Sequence, residues 1–184
     1  MAAYWLFAVL AVLEGSNLYA LQFQVGALSG TMTQPTSNYH LLVYGGSCLL
    51  TTDDEKLSLQ MGYVQRPDFS DAGFLEREYG SYVLFGGKLT KAQNKKYGIW
   101  AGVGGGHFKG TIAPKKQSEY YGLLPERGYA IDGMMTGIDW FLKVGMMRLS
   151  LGYYLLVGFS DHHQTEAYVA WPFHFMLVKL DFLI

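Results

Sequence analysis

Apolar and polar residues alternate one by one along much of this chain. Between Lys56 and Arg66, Leu57, Leu59, Met61 and Tyr63 take one phase, and Lys56, Ser58, Gln60, Gly62 and Arg66 take the other. From Lys143 to Phe159, Gly145, Met147, Leu149, Leu151, Tyr153, Leu155 and Val157 alternate with Arg148, Ser150, Gly152 and Tyr154. In Leu21 to Gly30, Leu21, Phe23, Val25 and Ala27 interleave with Gln22, Gln24 and Gly26. Successive side chains of an extended strand point to opposite faces, so these segments are two-faced strands. Five further runs bring the count to eight: Asn38 to Leu50, Tyr79 to Thr90, Tyr97 to Lys109, Tyr129 to Phe141, and Ala167 to Ile184. Each has about ten or more residues, longer than the usual strand of a soluble sheet and long enough to cross a bilayer at a tilt. Pro172 cannot donate to a ladder, which marks a bulge or the upper end of the last strand.

The connections alternate in length. In order they read GTMTQPTSN, TTDDE, PDFSDAGFLERE, KAQNKK, GTIAPKKQSEYYGLLPERG, almost nothing around Leu142, and SDHHQTE. The first, third, fifth and seventh are the longer ones. Short turns at one end and long loops at the other are the order of a membrane barrel, with both termini on the short-turn side. The pattern therefore predicts an all-β fold over residues 21–184: a closed antiparallel up-and-down transmembrane β-barrel of about eight strands. In it Leu57, Leu59, Met61, Leu149, Leu151 and Tyr153 face lipid while Gln60, Arg148 and Ser150 face inward.

Residues 1–20 precede this pattern. Their apolar run from Tyr4 to Leu13 has signal-peptide length and is too short to span a bilayer as a helix. They are expected to form an export signal cleaved after Ala20, although the segment lacks a Lys or Arg before the apolar run and has Leu18 at the minus-three position. An uncleaved apolar helix is the alternative.

Composition agrees with a membrane barrel. Charged residues make up 16% of the chain, with Gly 23, Tyr 14 and Phe 11, against roughly 25% charged residues in soluble proteins. Fourteen Lys and Arg balance fifteen Asp and Glu, which removes the electrostatic case for nucleic acid. A soluble lipocalin-like barrel would carry aromatics inside and charges outside, and these strands hold too few charges for that. Tyr39, Tyr63, Tyr79, Tyr97, Tyr129, Trp100, Trp140 and Trp171 lie near strand ends, as interfacial girdles require. Cys48 is the only cysteine, so no intrachain disulfide can form.

In strand pattern and loop order the chain resembles the small outer-membrane barrels, such as the OmpA transmembrane domain, OmpX and OmpW, and more distantly the lipid A enzymes PagP and PagL. The resemblance covers roughly Leu21 to Ile184 and is one of pattern. It implies location in the bacterial outer membrane, contact with membrane lipid and lipopolysaccharide, and a closing amphipathic strand. Val178, Leu180, Phe182 and Ile184 have the phase of such a strand, with Ile184 where these proteins end in an aromatic.

Few residues offer chemistry. Ser160 to Glu166 gathers Asp161, His162, His163 and Glu166 in the seventh loop. Adjacent His162 and His163 diverge in an extended chain, which argues against one metal held by both, so no metal and no cofactor is expected. PagL-like enzymes carry a His-x-Ser pair with a later Glu; here His163-Gln164-Thr165 has Thr in place of Ser. The run Gly102-Val103-Gly104-Gly105-Gly106-His107 breaks the dinucleotide pattern at His107, and glycines there make room for large lumen neighbours. Met134, Met135, Met146 and Met147 suit lipid-facing and core positions. Lys56, Arg66, Lys88, Asp132, Arg148, Lys179 and Asp181 should face inward and pair, since a lipid-facing Arg or Lys near the midplane costs about 2–4 kcal/mol. Lys56, Gln60, Arg66, Arg148 and Ser150 form the expected polar lumen. The longest loop, with Lys115, Lys116, Tyr120, Tyr121 and Arg127, is the candidate surface for a protein partner or for lipopolysaccharide phosphates. The expected role is a non-enzymatic barrel that presents external loops for partner binding or envelope support. The alternative is an outer-membrane enzyme acting on lipid A or phospholipid acyl chains.

Overall fold

The computed structural model describes residues 21–33, 40–67, 69–71, 74–90, 96–114, 127–160 and 172–184. The first twenty residues, with the expected export signal, lie outside them. The elements are β1 (Leu21–Thr33), β2 (His40–Thr52), β3 (Ser58–Gln65), β4 (Phe69–Asp71), β5 (Phe74–Lys88), β6 (Tyr97–Pro114), β7 (Arg127–Val144), β8 (Met147–Ser160) and β9 (Phe173–Leu183). Neighbours pair antiparallel in the order β3-β2-β1-β9-β8-β7-β6-β5-β4, and a β3–β5 ladder closes the wall. The short β4 continues the line of β3 against β5, so nine strands make eight staves. No described helix is long and apolar enough to cross a membrane.

The break between β3 and β4 has a local cause. Gln65 stands opposite Tyr79, yet Phe69 stands opposite Glu76, four steps along one strand against three along the other. The extra residue is a bulge at Arg66 and Pro67. Arg66 still donates its N–H to the Glu78 carbonyl at 2.8 Å, but Pro67 has no N–H to continue the ladder. Beyond the bulge the chain resumes strand pairing, so most of the segment expected to be the third long loop is an extension of the wall. β6 and β7 likewise run 18 residues each, carrying the hairpin beyond the segments that alternation picked out.

At the opposite end β7 turns into β8 over Gly145 and Met146, three residues later than the break expected near Leu142. Val144 pairs with Met147, leaving a two-residue turn that needs a positive φ, and Gly145 supplies it at 61° without a Cβ penalty. β9 starts directly after Pro172, which marks its upper end.

Alternation sorts the two faces as the pleat dictates. Leu57, Met61, Leu149, Leu151 and Tyr153 are exposed outward, and Gln60, Arg148 and Ser150 are buried inside. On β7 the outward residues Val144, Leu142, Trp140, Ile138, Thr136 and Met134 precede Asp132. Five two-residue steps at about 6.7 Å, tilted by about 40°, make a band of about 25 Å, the height of a lipid-facing belt. Leaving so many large apolar side chains exposed is costly in water and costs nothing against acyl chains.

Inside, residues toward the loop end are apolar, including Met32, Val43, Val64, Phe108, Ile131 and Phe175, all buried. The Phe108 and Phe175 rings lie 4.9 Å apart. Large rings fit a narrow lumen because glycines on neighbouring strands yield space. A Cβ on Gly62 would come within 2.2 Å of the Tyr82 ring, and one on Gly137 within 2.5 Å of the Tyr154 ring. In the glycine run, Gly102 makes the same room for Trp100.

Candidate functional site

The polar half of the lumen sits toward the short turns. Its lowest layer is organised by Glu55, from the β2–β3 turn. Glu55 adopts φ 56°, and its N–H donates to the Thr52 carbonyl at 2.8 Å while its own carbonyl accepts from the Lys88 N–H at 2.8 Å. These bonds fold the turn under the barrel and bury Glu55 to 5% exposure. Three cations converge on its carboxylate: Lys143 at 2.5 Å, Arg148 at 3.2 Å and Lys88 at 3.6 Å. The Arg148 guanidinium also lies over the Phe141 ring, 3.9 Å from its centroid.

The next layers join β2, β3, β5, β7, β8 and β9. Ser47 donates to Asp181, and Arg148 Nε donates to Ser150 Oγ at 3.4 Å. Asp139, fully buried, accepts from Lys179 and from the Tyr154 hydroxyl at 2.6 Å. Tyr154 in turn accepts from Lys179 and, at 2.8 Å, from Gln60 Nε2, which reaches Tyr82 at 3.3 Å as well. Among the described lumen groups, Lys88, Lys143, Arg148 and Lys179 face Glu55, Asp139 and Asp181. Charges at this depth persist only when paired and hydrogen-bonded, and each here is held by an opposite charge or a hydroxyl. The chemical capacity of these groups is spent on one another.

Two expected inward charges are placed otherwise. Lys56 lies in the β2–β3 turn, its side chain 74% exposed and 2.7 Å from Asp54; the strand starts at Ser58, so the pleat does not direct Lys56 inward. The Lys56 ammonium holds the Asp54 carboxyl down to about 2. Asp132 points outward at the upper edge of the apolar belt, 2.7 Å from His107 Nδ1 on the adjacent strand. It is of the same phase as Met134, and the interface there is wet enough to tolerate it. Arg66 does face inward and pair: at the bulge near the loop end its side chain is 11% exposed, lies 3.4 Å from Glu78 and borders the buried Met32, Val43 and Phe108, above the Glu55 and Asp139 layers. Trp100, expected in a girdle, is a lumen residue donating to Ser58, whereas Tyr63, Tyr79, Tyr97 and Trp140 are exposed on the outside.

Glu55 and Asp139 were not singled out by sequence. Asp139 shares the phase of Met135 and Phe141, which is a readable signal for an inward position. Glu55 sits in a turn with no periodicity, and nothing local announces its burial. Lys115, Lys116, Tyr120, Tyr121, His162, His163 and Glu166 lie outside the described residues, as do Tyr39 and Trp171, and Arg127 is described only as the first residue of β7. Among the described residues no three His, Cys, Asp or Glu side chains gather as a metal site.

No protein-family model matches the sequence, and no curated protein does. Solved structures do match. Ail, the attachment invasion locus protein of Yersinia pestis, in complex with the heparin analogue sucrose octasulfate, superimposes with a TM-score of 0.59 at 9% identity, covering 89% of this chain and 97% of that one. Neisserial surface protein A gives 0.57 at 10% identity, with the same coverage. The N-terminal β-barrel domain of Pseudomonas aeruginosa OprF gives 0.54 at 10% identity, covering 90% of this chain and all of that domain. The fold is that of the small bacterial outer-membrane barrels.

Proposed function

We propose that this chain is a non-catalytic outer-membrane protein whose filled barrel is a rigid post for external loops that bind anionic partners. The observation that carries this reading is the internally paired lumen: Glu55, Asp139 and Asp181 are engaged by Lys88, Lys143, Arg148, Lys179 and Ser47. Such a core stabilises strands without offering a reacting group to substrate. β6 and β7 are the longest described strands, at 18 residues each, and the sequence between them carries Lys115 and Lys116 before Tyr120 and Tyr121, with Arg127 after. That mixture suits lipopolysaccharide phosphates or a sulfated or protein surface, since cations supply steering and aromatics supply area. Ail carries a sulfated sugar, which supports testing the same class here.

Replacing residues 115–126 by a short glycine-rich turn tests the proposal. Heat-modifiable mobility should persist, showing a folded barrel, while binding to immobilised heparin and to purified lipopolysaccharide falls at least about tenfold. Equal binding by the loop-replaced protein would reject the loop as the partner surface. His162→Ala and His163→Ala should leave envelope lipid composition unchanged by mass spectrometry; a lost acyl-chain change in either would favour a lipid enzyme.

A further inference from the structure

Cations are spread unevenly over the outer face of the barrel. Toward the loop end, the outward-facing Lys and Arg among the described side chains are Lys109 on β6 and Arg77 on β5, both exposed and on neighbouring strands. At the same end of β1, β2, β8 and β9 the described outward side chains include neither Lys nor Arg. Lys109 stands directly opposite the exposed Tyr79, and Arg77 follows two residues nearer the loops. Lys109 has no ion-pair partner among the described residues. One outward step below it, His107 meets Asp132 of β7 at 2.7 Å, on the side away from Arg77. His107 and Asp132 mark the upper edge of the apolar belt, so both cations stand at headgroup level, where tyrosine rings also belong. Directly below them the belt is shallow. Ser81 faces outward opposite His107, and Gly105 faces outward opposite Val83. A Cβ on Gly105 would meet only the Gly133 carbonyl, at 3.6 Å. The exposed side chains of Tyr63, opposite Ser81, and Met134, opposite Gly105, stand higher on either side, leaving a depression that runs down the belt from Lys109.

We propose that this face of the barrel holds one lipid A molecule of the surrounding outer leaflet, with phosphate against Lys109 and Arg77 and an acyl chain laid in the depression over Ser81 and Gly105. Phosphate takes charge-assisted hydrogen bonds from both cations, at a membrane interface where basic side chains gather anionic headgroups. Two cations about one tyrosine suit a headgroup with more than one phosphate, which lipid A carries. The depression beneath them ties that headgroup to an acyl chain of the same molecule. The site is on the wall and not on the 115–126 loop. The loop meets lipopolysaccharide arriving from solution, whereas the wall meets lipid already in the bilayer, so either reading can fail alone.

The test is native mass spectrometry of the full chain released from phosphatidylcholine nanodiscs that contain equal small amounts of diphosphoryl lipid A, dephosphorylated lipid A and phosphatidylglycerol. One diphosphoryl lipid A per barrel should be retained, in preference to each of the other two by at least about tenfold. Lys109→Gln combined with Arg77→Gln should abolish that preference. Gly105→Leu, which fills the depression without touching a charge, should lower retention of both lipid A forms. Lys56→Gln, at the opposite end of the barrel, should change nothing, and the protein with residues 115–126 replaced should retain lipid A as the wild type does. The proposal is overturned if phosphatidylglycerol or dephosphorylated lipid A is retained as well as the diphosphoryl form, if the double variant keeps the preference, if Gly105→Leu retains both lipid A forms undiminished, or if replacing the loop abolishes retention. Lys109 and Arg77 are exposed at the rim, so their variants fold and remain readable even if Gly105→Leu disturbs the barrel.

Discussion

Glu55 and Arg148 lie 93 residues apart in sequence and meet inside the barrel, with Glu55 Oε1 3.2 Å from Arg148 Nη1. One comes from a turn and the other from the second position of β8, so the contact forms only when β2, β3, β8 and β9 have closed around the lumen. Lys88 and Lys143 share the same carboxylate.

Glu55→Gln should therefore destabilise the barrel by about 3 kcal/mol, because it strands three cations rather than removing one pair. Urea unfolding in lipid vesicles, read by tryptophan fluorescence, checks this. Lys56→Gln, one residue away but solvent-exposed, should leave the unfolding curve in place. Similar curves for both variants would show that the Glu55 cluster carries no special weight.

Tyr154→Phe should cost about 1–3 kcal/mol and Tyr82→Phe under about 1 kcal/mol. The Tyr154 hydroxyl donates to Asp139 and accepts from Gln60 and Lys179, whereas that of Tyr82 receives only a 3.3 Å bond from Gln60 among the hydrogen bonds described. The same unfolding measurement ranks them, and a reversed order would contradict the described hydrogen bonding.

Glycine substitutions should divide by face. Gly137→Ala drives a methyl into the Tyr154 ring and should cost about 1–3 kcal/mol by overpacking. Gly105→Ala meets only the Gly133 carbonyl, at 3.6 Å, and should be close to neutral. Gly145→Ala meets nothing within 4 Å but is strained at φ +61°, for about 1 kcal/mol. Folding yield into vesicles, scored by gel mobility, should fall most for Gly137→Ala.

Leu151→Arg should cost about 2–4 kcal/mol, since Leu151 is 48% exposed in the middle of the belt, between Trp140 and Val178. Thr111→Arg, beyond Lys109 toward the loop end, should cost less than about 1 kcal/mol. Bilayer folding titrations compare the two. Equal costs would mean that the belt does not extend as described.

The architecture was legible in sequence because a membrane strand must satisfy lipid on one side and a packed lumen on the other, and that demand leaves a two-residue rhythm in the chain. Leu149, Ser150 and Leu151 report their faces by parity alone. Pro172 could be read as a strand boundary for an equally local reason, the missing N–H. Parity cannot tell where a strand ends: it gives Lys56 a face although Lys56 lies in a turn, and it does not reveal that the wall continues past the bulge at Pro67. Nor does parity choose between wet interface and dry midplane, which decided the outward place of Asp132. What tertiary structure alone decided is which inward groups meet. Glu55 carries no periodic signal, and its three cations come from β5, β7 and β8; their pairing follows from closure and strand register, which bring distant residues to one height in a lumen where an unpaired charge is too costly to leave.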